Sequence, residues 1–200
     1  MKRIVTMLIA PALLLAVGCS QAPNEKLTEA EKAVMDAKLA GAQAYLPEDY
    51  AKVEGMLNNA KAEIADQNAK FGLFRDYGKT EQMLASVKAE TPKLIEETAK
   101  KKAEAKGAAL KAHADAKNAV KKAQALVAKA PVGKDRAAVE AIKNDAKALT
   151  ASLNEVQLAM DTEDYLTAQA TAKAVQDKSL ALSAEVRGAL AKVGGATKKK

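Results

Sequence analysis

Apolar residues spaced three and four apart limit what this chain can fold into more than any other feature. Val139, Ile142, Ala146, Leu149, Leu153, Val156 and Met160 keep that spacing without a break. Tyr165, Ala168, Ala172 and Val175 repeat it, and Leu182, Val186 and Val193 follow after a weak Ser179. Earlier in the chain, Tyr50, Val53, Leu57, Ala60 and Ile64 do the same. A 3–4 alternation draws one apolar stripe along a helix, and such stripes pack nearly antiparallel in bundles or coiled coils. No segment sustains period-two alternation of β-branched residues, so strands are not expected. The expected fold class is all-α, with coiled-coil-like packing.

Composition sharpens this. Alanine, the best helix former, makes up nearly a quarter of the chain, whereas tryptophan is absent and aromatics are 3% of residues. Such a chain forms long helices but has little bulk for a wide core. Narrow bundles or hairpins are expected, with oligomerisation through helix faces left open. The formal net charge is +7. Lysines alternate with Glu and Asp as on a solvated helix face, and the aromatic platforms of single-strand binders are missing, so nucleic acid is not an expected partner.

Breaks in the pattern place five helices, roughly 25–45, 48–70, 75–129, 134–160 and 163–193. Pro47 suits a first helical turn, and the segment from Lys70 through Phe71, Gly72, Leu73 and Phe74 closes the second helix. Ala130, Pro131, Val132 and Gly133 read as a turn, and Asp161, Thr162, Glu163 and Asp164 as an acidic cap for the last helix. The third helix would reach about 80 Å at 1.5 Å per residue, with a kink expected at Pro92.

Two halves echo each other at a spacing of about 86 to 88 residues. Val34 matches Val120, and Val53 and Glu54 match Val139 and Glu140. Met56, Asn58 and Ala60 match Ile142, Asn144 and Ala146. Asp76 and Tyr77 match Asp164 and Tyr165, and Val87, Leu94 and Glu97 match Val175, Leu182 and Glu185. The expectation is two repeated antiparallel helical units, 27–104 and 105–193, sharing the long central helix.

The N-terminus has a different character. Met1, Lys2 and Arg3 precede an apolar stretch over residues 4–17, interrupted by Pro11, and then Gly18 and the chain's one cysteine, Cys19. A basic head, a short apolar middle and small residues before a cut make residues 1–18 a signal peptide rather than a membrane span, which needs about 20 residues. Ala16, Val17, Gly18 and Cys19 resemble the lipobox of bacterial lipoproteins, with Ala16 where that family usually has Leu. The resemblance implies cleavage after Gly18 and acyl chains on Cys19, hence palmitate-type lipidation and a membrane partner. Ser20 follows, where retention in the inner membrane usually takes Asp, which points to the periplasmic face of the outer membrane. Ordinary signal-peptidase cutting also suits Ala16, Val17 and Gly18. Residues 19–26 read as a tether.

Tyr45, Leu46, Pro47, Glu48, Asp49 and Tyr50, followed by Leu57 and by Asp76 and Tyr77, are similar to a family of Ala-rich bacterial lipoproteins with a helical-hairpin domain of unassigned function. That likeness covers residues 28–104 and implies an envelope location. At the far end, Gly194 and Gly195 are expected to stop the last helix, leaving residues 194–200 as a flexible basic tail. A lipid at one end and a terminal lysine at the other resemble Braun's lipoprotein, which implies Lys200 as an attachment residue for peptidoglycan.

Catalytic chemistry is not expected. The single imidazole, His113, has no second His or free Cys to complete a metal or nucleophile site, and Glu96 and Glu97 fall on a charged helix face. No cofactor or metal is called for. Tyr45, Tyr50, Tyr77 and Tyr165 lie near helix ends, either closing a bundle or offering contacts to a partner. The leading expectation is a non-enzymatic lipid-anchored scaffold or spacer between outer membrane and peptidoglycan or a periplasmic protein. The alternative is a tetratricopeptide-like module that holds a peptide or assembly partner.

Overall fold

The computed structural model describes residues 21–129 and 136–197, and side chains as far as residue 191. Residues 1–18, expected as a signal peptide, Cys19, the turn expected at Pro131 and Lys200 lie outside the described residues. Among the described residues the chain is helical throughout, with no strand. The helices are α1 (Asn24–Leu39), α2 (Ala42–Tyr45), α3 (Pro47–Ala69), α4 (Gly78–Val127), α5 (Arg136–Asp161) and α6 (Tyr165–Thr197), with a 3₁₀ turn at Gly72–Phe74.

Three differences from the sequence expectation have local causes. The helix expected over 25–45 is two, because Gly41 takes φ +98° and turns the chain between α1 and α2. The tether expected over 19–26 is already helical from Asn24, and the Pro23 carbonyl accepts the Leu27 N–H at 2.9 Å. The long helix expected through Pro92 is one element: α4 runs for 50 residues with Pro92 inside it. Pro92 is exposed while Val87, Thr91 and Leu94 are buried on the opposite face, so packing holds the turn that lacks one backbone bond. Finally, α6 continues past Gly194 and Gly195 to Thr197. Glycine weakens a helix by about 1 kcal/mol, but it ends one only by turning left-handed at the C-terminus.

Two compact units divide inside α4, between Glu96 and Glu97. In the first unit, α1, α3 and the N-terminal part of α4 surround a core of Ala30, Val34, Ala37, Val53, Leu57, Ala60, Leu84, Val87 and Leu94. Side-chain pairs fix the directions. Lys26 meets Glu81 at 3.0 Å and Glu29 meets Lys88 at 2.5 Å, so α1 and α4 run parallel. Lys61 reaches Glu31 at 2.7 Å, and Glu63 reaches Lys79 at 2.6 Å, with α3 antiparallel to both. The alanines let the helices approach closely, and each buries little apolar area, at about 25 cal/mol per Å².

In the second unit, the rest of α4 packs with α5 and α6 around Ala116, Val120, Ala123, Ile142, Leu149, Val156, Val175, Leu182 and Val186. Gln124 Nε2 donates to Thr150 Oγ1 at 2.8 Å, and Lys102 meets Glu163 at 2.6 Å. The α5–α6 turn closes on a left-handed residue that is not glycine, Glu163 at φ 59°. The Asp164 N–H reaches back to the Ala159 carbonyl at 2.8 Å, and the Glu163 N–H to Met160 at 3.1 Å, which satisfies the last carbonyls of α5. Asp164 Oδ1 then accepts the Thr167 N–H at 3.1 Å and caps α6.

Candidate functional site

At the start of the first unit, residues 21–26 lie beside the first turn of α4, and the C-terminus of α3 passes through the 70–77 loop into the same helix. Residues Gln21, Ala22, Pro23, Asn24, Glu25 and Lys26 line a shallow cavity with Glu81, which sits one turn into α4. The start of the described chain therefore lies level with the first turn of α4.

The loop itself is built by polar groups. Arg75 Nε donates to the Lys70 carbonyl at 3.0 Å and its Nη2 to the Asn68 carbonyl at 2.9 Å, which ties the loop to the last carbonyls of α3. The Gln67 side chain accepts the Asp76 N–H at 3.0 Å and donates to Glu63 at 2.9 Å. Tyr77 donates its hydroxyl proton to Asn68 Oδ1 at 2.5 Å, and Asp76 Oδ1 accepts the Gly78 N–H at 2.8 Å. The Phe74 N–H closes the 3₁₀ turn on the Phe71 carbonyl at 2.8 Å.

What this frame presents is apolar. Phe71, Leu73 and Phe74 are 71%, 63% and 75% exposed, and the two rings lean on each other at 6.4 Å between centroids. They are both of the chain's phenylalanines. Single exposed apolar residues need no explanation, but three on one short ordered loop do.

The electrostatics around this end come from surface pairs. The hydrogen bond from Lys79, helped by Gln67, holds the Glu63 carboxyl below the ordinary glutamate value, and Glu63 in turn raises Lys79. Lys88 lowers Glu29 in the same way, and Lys102 lowers Glu163 in the second unit. Burial, then the nearby Glu54 carboxylate, raises Tyr50.

Other residues singled out from sequence are scattered. Tyr50, Tyr77 and Tyr165 are buried at 5%, 3% and 5% exposure, and Tyr50 and Tyr165 belong to the cores of the first and second units. Tyr50 donates to Glu54 at 3.2 Å, and Lys106 stands 5.8 Å above the Tyr165 ring. Tyr45 is half-buried, its ring against Gly41. His113 is half-buried on α4, and Glu96 and Glu97 are exposed. Among the described residues, no group of three His, Cys, Asp or Glu could hold a metal ion, and no helix is long and apolar enough to cross a membrane. A separate open groove of about 400 Å³ lies between α5 and α6, lined by residues including Asp145, Leu149, Ser152, Lys178, Leu182 and Glu185.

No family model, no curated protein and no solved structure matches the chain. Phe71, Leu73 and Phe74 are the residues that sequence reasoning passed over, having taken them only as the end of a helix. Phe71 and Phe74 continue the 3–4 spacing of α3 past Ile64 and Gln67, so the available signal was Gly72 between them and Leu73 off the stripe.

Proposed function

We propose that this chain is a non-enzymatic lipoprotein of the bacterial envelope, held by acyl chains on Cys19 at the periplasmic face of the outer membrane. Its role in this reading is that of a helical scaffold or spacer directed toward peptidoglycan or a periplasmic protein. The observation that carries the reading is the order of segments. A signal-like stretch over residues 1–18 ends in a lipobox-like junction at Cys19, and helical structure begins at Asn24. Several acyl chains make an anchor stable where one would be marginal, at about 0.8 kcal/mol per buried CH₂. A helix as long as α4 has a contour of about 75 Å, useful to a spacer. Attachment of Lys200 to the wall belongs to the same proposal.

The body of this scaffold is read as two copies of one unit with coiled-coil-like seams, and the pattern of burial supports this. Buried positions Tyr77, Thr80, Leu84, Val87, Thr91, Leu94 and Thr98 correspond one by one to Tyr165, Ala168, Ala172, Val175, Ser179, Leu182 and Val186. The offset stays constant along both helices. On α3 and α5, burial pairs Val53 with Ile142 and Leu57 with Ala146, a register shifted from the sequence pairing of Met56 with Ile142.

Intact mass spectrometry of the mature protein tests the function directly. A chain starting at Cys19 with acyl mass supports the anchor, and added sugar-peptide mass on a C-terminal fragment supports wall attachment. Recovery as an unacylated periplasmic monomer, unchanged by Cys19→Ser, rejects the proposal.

The open groove between α5 and α6 favours a second reading, a tetratricopeptide-like binding module. Ala148 and Ala181 line it and are exposed, so Ala181→Arg would fill it without touching the core. Loss of a captured periplasmic partner at unchanged helicity would favour this reading over the scaffold.

A further inference from the structure

We infer that the loop carrying Phe71, Leu73 and Phe74 is a membrane-contact surface that enters the interfacial layer of the bilayer holding the acyl chains. This deepens the proposed function and rests on the lipid anchor at Cys19. Four observations point the same way.

Reach is the first. Cys19 and Gln21 are two residues apart, and an extended chain covers at most about 3.6 Å per residue, so lipid on Cys19 brings headgroups within about 7 Å of Gln21. Placement is the second. Residues 21–26 lie beside Glu81 in the first turn of α4, and the 70–77 loop leads directly into that turn. A bilayer that close to Gln21 meets this end of the unit.

Order is the third. Arg75 bonds to the carbonyls of Asn68 and Lys70, and Gln67 and Asn68 hold Asp76 and Tyr77. The loop is thus fixed by polar bonds, while its apolar side chains are left outward and uncovered by the described residues. Charge is the fourth. Lys26, Lys70, Arg75 and Lys79 are offset by Glu25, Glu63, Asp66, Asp76 and Glu81, and the Arg75 guanidinium already serves α3 carbonyls. The contact is therefore driven by apolar side chains, and the exposed Lys70 can extend its ammonium toward the headgroups. It takes neutral as well as anionic lipid, with little dependence on salt.

The chain has no tryptophan, so a single indole reports its own site. Phe74→Trp and, at the far end of the same unit, Leu39→Trp both change exposed residues. Each full-length mature protein is reconstituted in vesicles of phosphatidylethanolamine and phosphatidylglycerol containing lipids brominated along the acyl chain. The expected result is blue-shifted emission from Phe74→Trp, quenched by bromines about 5–10 Å below the headgroups, with neither effect in Leu39→Trp. Ser at both Phe71 and Leu73 in the Phe74→Trp background should remove most of the quenching while helicity by circular dichroism stays unchanged.

The intact mass of each sample separates the two claims. Acylated protein with no blue shift and no quenching overturns the loop contact and leaves the anchor standing. Quenching in protein without acyl chains supports the contact and removes the anchor, and absence of both overturns both. A blue shift without vesicles that grows with protein concentration assigns the patch to a second copy of the chain and overturns the inference.

Discussion

Gly41 shows how much one residue can decide. At φ +98° it ends α1, and a Cβ there would stand 3.2 Å from the Tyr45 ring. Gly41→Ala is expected to destabilise the protein by about 1–2 kcal/mol, the cost of a left-handed L-residue, read as a lower urea midpoint. Sequence showed a glycine in a helical stretch, which is tolerated as often as it breaks; only the backbone angle tells the two apart. Buried hydroxyls are a second lesson at this scale. Thr91 and Ser179 donate to the Val87 and Val175 carbonyls, both at 2.7 Å, so their own helices satisfy them. That explains how Ser179 can stand in an apolar seam. Thr80 Oγ1 is buried without a hydrogen-bond partner. Thr80→Val keeps its shape and removes the orphan hydroxyl, and should raise stability by about 1 kcal/mol in the same titration.

Among the elements, α4 carries the plainest conflict between local preference and outcome. Pro92 has no N–H to offer the Lys88 carbonyl, yet the helix continues through it. Pro92→Ala restores that bond at an exposed position, and stability should rise by about 1–3 kcal/mol, measured by chemical denaturation. Failure to rise would mean that the proline's rigidity already offsets the missing bond by limiting the unfolded chain. The sequence showed where α3, α4 and α5 lie to within a few residues, because their stripes are long and uninterrupted. It missed the break at Gly41 and the late end of α6. Both turn on whether a glycine continues a helix or ends it, and at such residues the two outcomes differ by little energy.

For the molecule as a whole, surface ion pairs predict an acid response with a definite sign. Glu29, Glu63 and Glu163 are held below the ordinary glutamate value by their lysines. The stability they contribute is present above that value and is lost as pH falls through their lowered ones. Thermal melts should therefore drop on acidification through the carboxylate range, modestly because the pairs face solvent, and 1 M salt should shrink the drop. The all-α class was legible at this scale from period alone, since three-and-four spacing recurs in several long segments and no segment alternates with period two. The exposed loop was not, because Phe71 and Phe74 continue the 3–4 spacing of α3 and read as buried, whereas the helix stops at Ala69 before reaching them. Polar groups from Gln67 to Tyr77 supply that loop's shape, while Phe71, Leu73 and Phe74 add nothing to the core. Surface and architecture are consequently written in separate letters, so the three outward positions can be recoded as a cassette while the rods beneath keep their form.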